Sequence, residues 1–548
     1  MISNRMFLGV ALAAAIFFSF ADGDVVIRSV GAEPRPEPTA TMRPRTAPIT
    51  PTPTPATATP SPTVTPGTKP VETLEQLQSK IRMRLFDPLV RRGRVGVKIA
   101  SLNSGKVIFE QDSEKYFMPA SNMKNFTVAA AIDKLGPDFR FVTSVYGTSL
   151  PDPNGTVKGD IRVYGRGDIS ISNTFFNGDN YKGIDNLVDR IAAAGVKRIE
   201  GSIVGDESYF KGFYIPQTWE WDDLQFYYGA EVSALPVNDN AVSVAVTPGA
   251  NGGPCVVTIT PPNTLFQINN LCTTGGSRRT ASVVKKIDRN VLDVTGTVPS
   301  GDDGLRAAVA VTRPAELFIA LLKQRLEFRG ITVTGSVRMS PPNIRSQPGQ
   351  IEIARLESVP LSLIAAKTMK PSQNMFTEVL LWTLGEERGF PAGQRVYSES
   401  DPDSSAAGIN VIKAFLKDIG AAEDGILQYD GSGLSRHDLI TPSAVVSLYT
   451  YMAKQSKYAP VWRESLTIAG VDGTLTNRMR GTQAQANFRG KTGTIDQVSA
   501  LSGYVTTAAG EQLVVSLVVN NVGGRAVTRT SLTDEIVVAL ANFNGRVD

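Results

Sequence analysis

A serine and a lysine three positions apart occur at the predicted start of a helix, in the segment Ser121-Asn-Met-Lys124. This spacing puts the hydroxyl and the amine on one face of a helix, one turn apart. A lysine that loses its proton in a dry environment can remove the proton of the serine hydroxyl and so create a nucleophile. The positive end of the helix would stabilise an oxyanion, so the segment predicts acyl transfer with Ser121 as nucleophile and Lys124 as base.

The same four-residue pattern is frequent by chance, and a second copy is present in Ser282-Val-Val-Lys285. The second copy lies in a basic, strand-like stretch without a helix start. We therefore expect it to have no catalytic role.

Ser372-Gln-Asn374 connects two helical segments. In a loop, the hydroxyl of Ser372 could relay a proton, and the amide of Asn374 could hold a peptide group of a substrate. A serine that caps a helix is the simpler alternative for this motif. Ser101-Leu-Asn103 has the same pattern and is better explained by the chemistry of a hairpin turn.

Lys491-Thr492-Gly493-Thr494 occurs once, immediately before a C-terminal hairpin. An amine and hydroxyls at the edge of a sheet suit a carboxylate, and glycine lets the backbone of a substrate approach closely. The alternative is a charged residue that protects an edge strand from pairing.

The composition excludes several other chemistries. The chain has 548 residues, one histidine, two cysteines and a formal net charge of +4. His437 alone cannot build a two-histidine zinc site, and two cysteines cannot build a thiolate cluster, so we expect no metal. The chain has no dense run of lysine and arginine, which argues against nucleic acid as a partner. Because Lys124 fills the role of base, we expect His437 to be structural or close to substrate.

The N-terminus predicts export. A positive start is followed by an apolar run at residues 6–20 and by Ser19-Phe-Ala21, which is typical of a signal peptide. An uncleaved membrane anchor is the alternative. Residues 33–70 are rich in Pro, Thr and Ala and predict an extended tether. In an oxidising compartment Cys255 and Cys272 are expected to form a disulfide, with two buried free thiols as the alternative.

The remaining sequence predicts an α+β protein. A helix at 73–90, a hairpin at 95–111 and a helix at 122–135 open the folded part. Short strand-like segments dominate residues 142–358, with helices at 184–194 and 315–328. Further helices are expected at 361–369, 375–384, 408–419 and 532–543, and strands at 497–506 and 512–520. The two ends of the chain are therefore predicted to build one sheet, with the β-rich region inserted.

The three motifs have the order and the predicted settings of the active-site motifs of penicillin-recognising serine enzymes. Because Ser121 and Ser372 lie far apart in the chain, residues 72–548 resemble the D-Ala-D-Ala carboxypeptidase/endopeptidase branch, the class C low-molecular-mass penicillin-binding proteins. In that branch two extra domains lie between the first and second motifs. The matching stretches are Pro119-Ala-Ser-Asn-Met-Lys124, Gly205-Asp-Glu-Ser-Tyr-Phe210, Asp430-Gly-Ser-Gly-Leu-Ser-Arg436 and Gly490-Lys-Thr-Gly-Thr494.

The resemblance implies the penicillin-binding (β-lactamase-like) transpeptidase fold, an antiparallel sheet flanked by helices with two inserted β-rich subdomains. The implied parts are a signal peptide (1–21), a linker (22–71), a catalytic domain (72–141 and 359–548), subdomain II (142–231 and 335–358) and subdomain III (232–334). We expect a protein of the periplasm or cell envelope.

The resemblance also implies a serine D,D-peptidase that acts on peptidoglycan stem peptides, needs no cofactor and is inhibited by β-lactams. Its implied roles are nucleophile for Ser121, base for Lys124, proton shuttle for Ser372 assisted by Lys491, orientation of the acyl chain for Asn374, carboxylate binding for Lys491 and Thr492, and an oxyanion hole from the backbone N–H groups of Ser121 and Thr494. Asp206, Phe210 and Arg436 would contact the side chain of the stem peptide. Where some relatives carry glutamine after the third motif, this chain has Asp496.

Two other functions are compatible with the motifs. A serine β-lactamase or esterase would use the same chemistry on another substrate, but we find no residue to assign as an additional deacylating base. A wall-binding protein with a degenerate site is the second alternative. The fact that all three motifs are intact argues against it. The balance between carboxypeptidase and endopeptidase action is open at this point.

Overall fold

The computed structural model describes residues 70–88, 90–341, 350–390, 402–524 and 526–547. The predicted signal peptide and all but the last two residues of the predicted linker lie outside the described residues. Within the described ranges, every helix is too short or too polar to cross a membrane.

The helices of the described chain are α1 Leu74–Leu85, α2 Lys124–Leu135, α3 Lys182–Ala193, α4 Pro314–Phe328, α5 Leu361–Met369, α6 Asn374–Arg388, α7 Ser404–Asp418, α8 Pro442–Lys454, α9 Ala459–Ser465 and α10 Ala526–Asn542. The strands are β1 Arg94–Ser101, β2 Val107–Gln111, β3 Val142–Gly147, β4 Thr156–Lys158, β5 Ile161–Tyr164, β6 Arg198–Glu200, β7 Ile203–Asp206, β8 Ala241–Thr247, β9 Val256–Thr260, β10 Gln267–Asn270, β11 Thr273–Thr274, β12 Ser282–Lys285, β13 Val291–Thr295, β14 Thr297–Val298, β15 Leu305–Ala310, β16 Thr332–Val333, β17 Val337–Met339, β18 Ile351–Glu357, β19 Ile426–Leu427, β20 Leu439–Ile440, β21 Thr467–Ile468, β22 Arg489–Ile495, β23 Val498–Thr506 and β24 Gln512–Asn520.

The two ends of the chain build one antiparallel sheet in the order β2-β1-β24-β23-β22-β21. Helix α10 packs on β23, and α8 packs on β24. Helices therefore contact the central strands, and every residue of β24 after Gln512 is buried. This burial explains why β24 is apolar almost throughout instead of alternating with polar residues.

The segment between β3 and β18 forms a separate set of small sheets with its own hydrophobic core. Strands β3 and β18 pair with each other at its base. Several pairs are parallel, including β5 with β7 and β7 with β17, and helices α3 and α4 pack together beside them. The inserted region is thus mixed rather than purely antiparallel. The subdomain boundaries at 231 and 334 stay predictions.

Cys255 and Cys272 form a disulfide in this inserted region, with the two Cα atoms 5.4 Å apart. The backbone N–H of Cys255 also donates to the carbonyl of Cys272. Both cysteines are buried in the hydrophobic core of the inserted region, which we call the second core. The bridge therefore joins the chain before β9 to the chain before β11.

The sequence predicted most helices of the catalytic region within a few residues of their observed ends. It missed α8 and α9, which bury large aromatic side chains at Tyr449 and Trp462. Proline residues at the first turns of both helices obscured the helical pattern, although proline is well tolerated at that position.

Candidate active site

Ser121 lies in a 3-10 turn, Ala120–Met123, that runs directly into α2, which begins at Lys124. Ala120 has a φ of +46°, an unusual backbone conformation for a residue with a side chain. The turn leaves Ser121 partly exposed, whereas Lys124 is fully buried. The hydroxyl is thus accessible to a substrate while the amine beside it is shielded from water.

The amine of Lys124 donates three hydrogen bonds. Its Nζ lies 2.9 Å from Ser121 Oγ, 2.6 Å from Asn374 Oδ1 and 2.7 Å from the carbonyl oxygen of Ser432. Burial lowers the pKa of Lys124 to about 7, although the nearby carboxylates of Asp430, Glu378 and Asp438 act in the opposite direction. A substantial fraction of Lys124 is therefore neutral near pH 7 and can accept the proton of Ser121.

The second motif lies at the start of α6. Ser372 has a φ of +66°, and its Oγ accepts a hydrogen bond of 2.7 Å from Lys491 Nζ. Asn374 is the first residue of α6, and its side-chain amide donates to the carbonyl of Tyr228 while its oxygen accepts from Lys124. The structure therefore brings the first and second motifs into direct contact.

The third motif lies on β22. Lys491 is fully buried, and its pKa lies well below its ordinary value because of burial first and the nearby charge of Lys124 second. Thr492 Oγ1 is 2.7 Å from the hydroxyl of Thr474, a residue that the sequence did not single out. Strand β21 pairs only with Arg489 and Gly490, so the edge of β22 from Lys491 to Thr494 is free of strand partners within the described chain.

Strand β22 contacts the turn that carries Ser121 at Gly493. A Cβ atom at Gly493 would lie 2.5 Å from the carbonyl oxygen of Pro119, so only glycine fits there. Asn122 adds a hydrogen bond of 3.2 Å from Nδ2 to the carbonyl of Lys491 and accepts one of 2.6 Å from Ser502 Oγ. The nucleophile and the third motif are therefore held at a fixed separation.

Two buried carboxyl groups organise the loop 430–435, which passes under Lys124. Glu378 accepts from the backbone N–H groups of Gly431 and Ser432, and Asp430 accepts from those of Gly433 and Ser435. Burial, together with the charge of Asp430, raises the pKa of Glu378 to about 8. Sequence reasoning missed Glu378, although its position one helical turn after Asn374 was a usable signal.

Arg436 lies in an acidic setting. Its guanidinium is 2.7 Å from a carboxylate oxygen of Glu220, 3.8 Å from Asp223 and 3.9 Å from Asp496. The acidic residues on either side of Trp221 indicate a candidate partner for an arginine, but the sequence predictions did not include the pairing of Arg436 with Glu220.

Asp206 and Phe210 are not brought to the cluster around Ser121. Asp206 is fully buried, and its carboxylate lies 2.6 Å from the guanidinium of Arg162, with which it forms an ion pair inside the fold. Phe210 packs edge-on against Trp382. Both line a cavity of about 870 Å³ beside the segment that carries Trp219. Their expected contact with the side chain of a stem peptide stays a prediction, and for Asp206 it would require the ion pair with Arg162 to open.

His437 is exposed, and its ring contacts the edge of Tyr429 at 5.5 Å between ring centres. The described contacts of Lys124 and Ser121 do not include it.

In the second Ser-x-x-Lys copy, Ser282 and Lys285 occupy opposite ends of strand β12, and Lys285 donates to Thr312 instead of to Ser282.

The chain is similar in sequence and in fold to several known proteins. The model of the D-Ala-D-Ala carboxypeptidase 3 (S13) family matches residues 77–543. A D-alanyl-D-alanine carboxypeptidase from Actinomadura sp. (strain R39) is 33% identical over 485 residues, covering 86% of each chain. The D-alanyl-D-alanine carboxypeptidase DacB of Haemophilus influenzae is 26% identical over 434 residues, covering 78% of this chain and 86% of that protein.

The crystal structure of penicillin binding protein 4 from Haemophilus influenzae superposes with a TM-score of 0.70 at 23% identity, covering 85% of this chain and 99% of that one. This match confirms the predicted α+β penicillin-binding fold. The family match and the 33% identical relative together settle the class of protein. The chain belongs to the D-Ala-D-Ala carboxypeptidase 3 (S13) family and is a serine-type peptidase.

Proposed function

We propose that this enzyme cleaves the D-Ala-D-Ala bond of peptidoglycan stem peptides through an acyl-enzyme on Ser121. The observation that carries the proposal is the contact of 2.9 Å between the hydroxyl of Ser121 and the buried amine of Lys124. A neutral Lys124 takes the hydroxyl proton as Ser121 Oγ bonds to the carbonyl carbon of the penultimate D-Ala. The backbone N–H groups of Ser121 and Thr494 stabilise the oxyanion that forms.

Collapse of this tetrahedral species breaks the peptide bond, and the leaving nitrogen needs a proton. Ser372 supplies it as a relay, because its Oγ is hydrogen-bonded to Lys491. Free D-Ala then departs, and the proton that Lys124 took from Ser121 replaces the one that Ser372 gave up, so Lys124 is neutral again. Water then attacks the acyl carbon as Lys124 takes its proton, and the ester bond breaks when Lys124 returns a proton to Ser121 Oγ. The motifs suffice for both half-reactions.

The third motif orients the substrate. Lys491 and Thr492 bind the terminal carboxylate, Gly493 allows the peptide to lie along the open edge of β22, and Asn374 holds the acyl chain. Arg436 contacts the side chain of the stem peptide from the loop after Ser432. Glu220 and Asp223 hold its guanidinium in place.

The same chemistry admits β-lactams, whose ring amide resembles the scissile bond, and we propose that they acylate Ser121. The relatives named D-alanyl-D-alanine carboxypeptidase and penicillin binding protein support this proposal over an esterase. Sustained nitrocefin turnover would instead favour a β-lactamase, whereas a single stoichiometric burst favours a penicillin-binding enzyme. We also propose export to the cell envelope, where this substrate is found.

Replacement of the nucleophile tests the proposal. Ser121→Ala is expected to lower D-Ala release from a pentapeptide ending in D-Ala-D-Ala by about a thousandfold or more and to abolish labelling by fluorescent penicillin. Ser282→Ala, in the other Ser-x-x-Lys copy, is the matched control and should retain both activities. Release of D-Ala by Ser121→Ala at the wild-type rate would show that another residue is the nucleophile.

Fragments released from purified peptidoglycan then separate the two cleavage modes. Free D-Ala identifies carboxypeptidase action. Monomers from cross-linked dimers identify endopeptidase action. Mass spectrometry distinguishes these products in one digest.

A further inference from the structure

Two groups besides Ser121 accept hydrogen bonds from the amine of Lys124, and each is held in place by the inserted region of the chain. These groups are the side-chain oxygen of Asn374 and the backbone carbonyl of Ser432. Their positions fix where the Nζ atom lies relative to Ser121 Oγ. Whatever holds them therefore sets the geometry of the proposed proton transfer.

The carbonyl of Ser432 belongs to the loop 430–435, and the carboxylate of Asp430 is the centre of that loop. It accepts hydrogen bonds of 2.6 Å from the backbone N–H of Gly433 and 2.8 Å from that of Ser435. A further donor comes from outside the loop, because Trp219 Nε1 lies 2.8 Å from Asp430 Oδ2. The indole thus ties this loop to a segment more than 200 residues earlier in the chain.

The oxygen of Asn374 faces Lys124 because its amide group is engaged elsewhere. Nδ2 donates a hydrogen bond of 2.9 Å to the carbonyl of Tyr228, which lies in the 3-10 turn Tyr227–Gly229. Rotating the amide by half a turn would place two donors against each other and two acceptors against each other. The segment 219–228 therefore supports both acceptors of Lys124, one through a side chain and one through its backbone.

Trp219 is also buried, with 7% of its surface exposed, and Asp430 has 1% exposed. A hydrogen bond from a neutral donor to a carboxylate is strong in such a dry setting, and a buried carboxylate that loses a donor is costly. The site thus depends on a contact that the first, second and third motifs do not provide.

We propose that Trp219 is a positioning residue for catalysis, which acts through Asp430 and the carbonyl of Ser432 to hold the amine of Lys124 against Ser121. This proposal rests on the proposed role of Lys124. It gives the segment 219–228 of the insertion a part in the acylation step itself, separate from any contact that the insertion makes with substrate.

Replacement of the indole N–H alone tests this role. Trp219→Phe keeps an aromatic ring but removes the donor, so the rate constant for acylation by saturating penicillin should fall about tenfold, the cost of one charge-assisted hydrogen bond. The non-covalent affinity for penicillin should stay near the wild-type value. The midpoint of the pH profile for acylation should move to lower pH, because the ammonium form of Lys124 loses an acceptor that stabilises it.

Trp382→Phe is the matched control. Trp382 is also buried, on α6, but its Nε1 has no hydrogen-bond partner among the described residues, so removing its N–H breaks no bond seen there. Its acylation rate and pH profile should match the wild type. A Trp219→Phe enzyme with a lower melting temperature but an unchanged acylation rate and pH profile would overturn the proposal and leave Trp219 a purely structural residue.

A double-mutant cycle tests whether the effect passes through Asp430. If it does, Trp219→Phe combined with Asp430→Asn should acylate no more slowly than Asp430→Asn alone. Effects that multiply would show that Trp219 acts by another route. A wild-type enzyme that is not acylated at all would contradict the proposed function, whereas an active wild type with an insensitive Trp219 contradicts only this inference.

Discussion

At the scale of single residues, the site is dominated by two buried amines that differ in their surroundings. Lys124 has three carboxyl groups nearby, and these oppose the effect of burial on its pKa. Lys491 has the charge of Lys124 as its neighbour, which adds to the effect of burial. Lys124 therefore titrates within the range in which an enzyme can use it, and Lys491 donates a hydrogen bond to Ser372.

The pKa of Lys124 predicts the pH dependence of acylation. Lys124 must be neutral to accept a proton, and burial places its pKa at about 7, so the acylation rate should rise as the pH increases through 7. Stopped-flow measurement of penicillin acylation across this range checks the prediction. A profile that is flat through pH 7 would contradict it.

Replacing Lys124 by arginine is a second test of its role as the base. Lys124→Arg keeps a positive charge that is not lost at accessible pH, so acylation should fall about a hundredfold or more at every pH. Lys285→Arg, in the second Ser-x-x-Lys copy, should leave both the rate and the profile unchanged.

At the scale of elements, the close approach of β22 to the turn at Ala120–Met123 sets the width of the site. Gly493 makes this approach possible, and Gly433 does the same on the other side, where an added Cβ would overlap the carbonyl oxygen of Ala120. The turn is thus enclosed by two backbone segments that come from distant parts of the sequence.

The substitution Gly493→Ala should push β22 away from the turn Ala120–Met123. Gly493→Ala puts a methyl group 2.5 Å from the carbonyl of Pro119, and a shift of even about 1 Å at the nucleophile should lower acylation about a hundredfold. The rate of penicillin acylation measures the effect. Gly301→Ala is the control, because its Cβ would meet open space. Wild-type acylation by Gly493→Ala would mean that the contact does not determine the geometry.

The sequence predicted the elements that carry the motifs because each motif is local and each element has its own periodic pattern. Helix α2, helix α6 and the hairpin of β23 and β24 were all predicted close to their observed positions. The partners of Asp430 and Arg436 could not be predicted in the same way, because Trp219 and Glu220 contact them across more than 200 residues. The ion pair of Asp206 with Arg162 could not be predicted either, because nothing in the sequence around Arg162 indicates a buried carboxylate partner.

At the scale of the whole molecule, the insertion has a hydrophobic core of its own, and the disulfide lies within it. The bridge between Cys255 and Cys272 closes a loop of 17 residues. Both cysteines pack in the second core, whereas Lys491 lies on the sheet made by the two ends of the chain and Ser121 lies on a turn that contacts this sheet. Stability of the insertion and chemistry at Ser121 should therefore respond differently to loss of the bridge.

Replacing both cysteines by serine should lower the free energy of unfolding by about 3 kcal/mol, because the unfolded chain regains the freedom that a loop of this length removes. Chemical denaturation with and without reductant measures the change, and reduced wild type should behave like the double variant. At a temperature where the variant is folded, its acylation rate should equal that of the wild type, since the bridge contacts neither Lys124 nor the segment 219–228. If acylation fell together with stability, the second core would be coupled to the site more tightly than the contacts of Trp219 and Tyr228 explain.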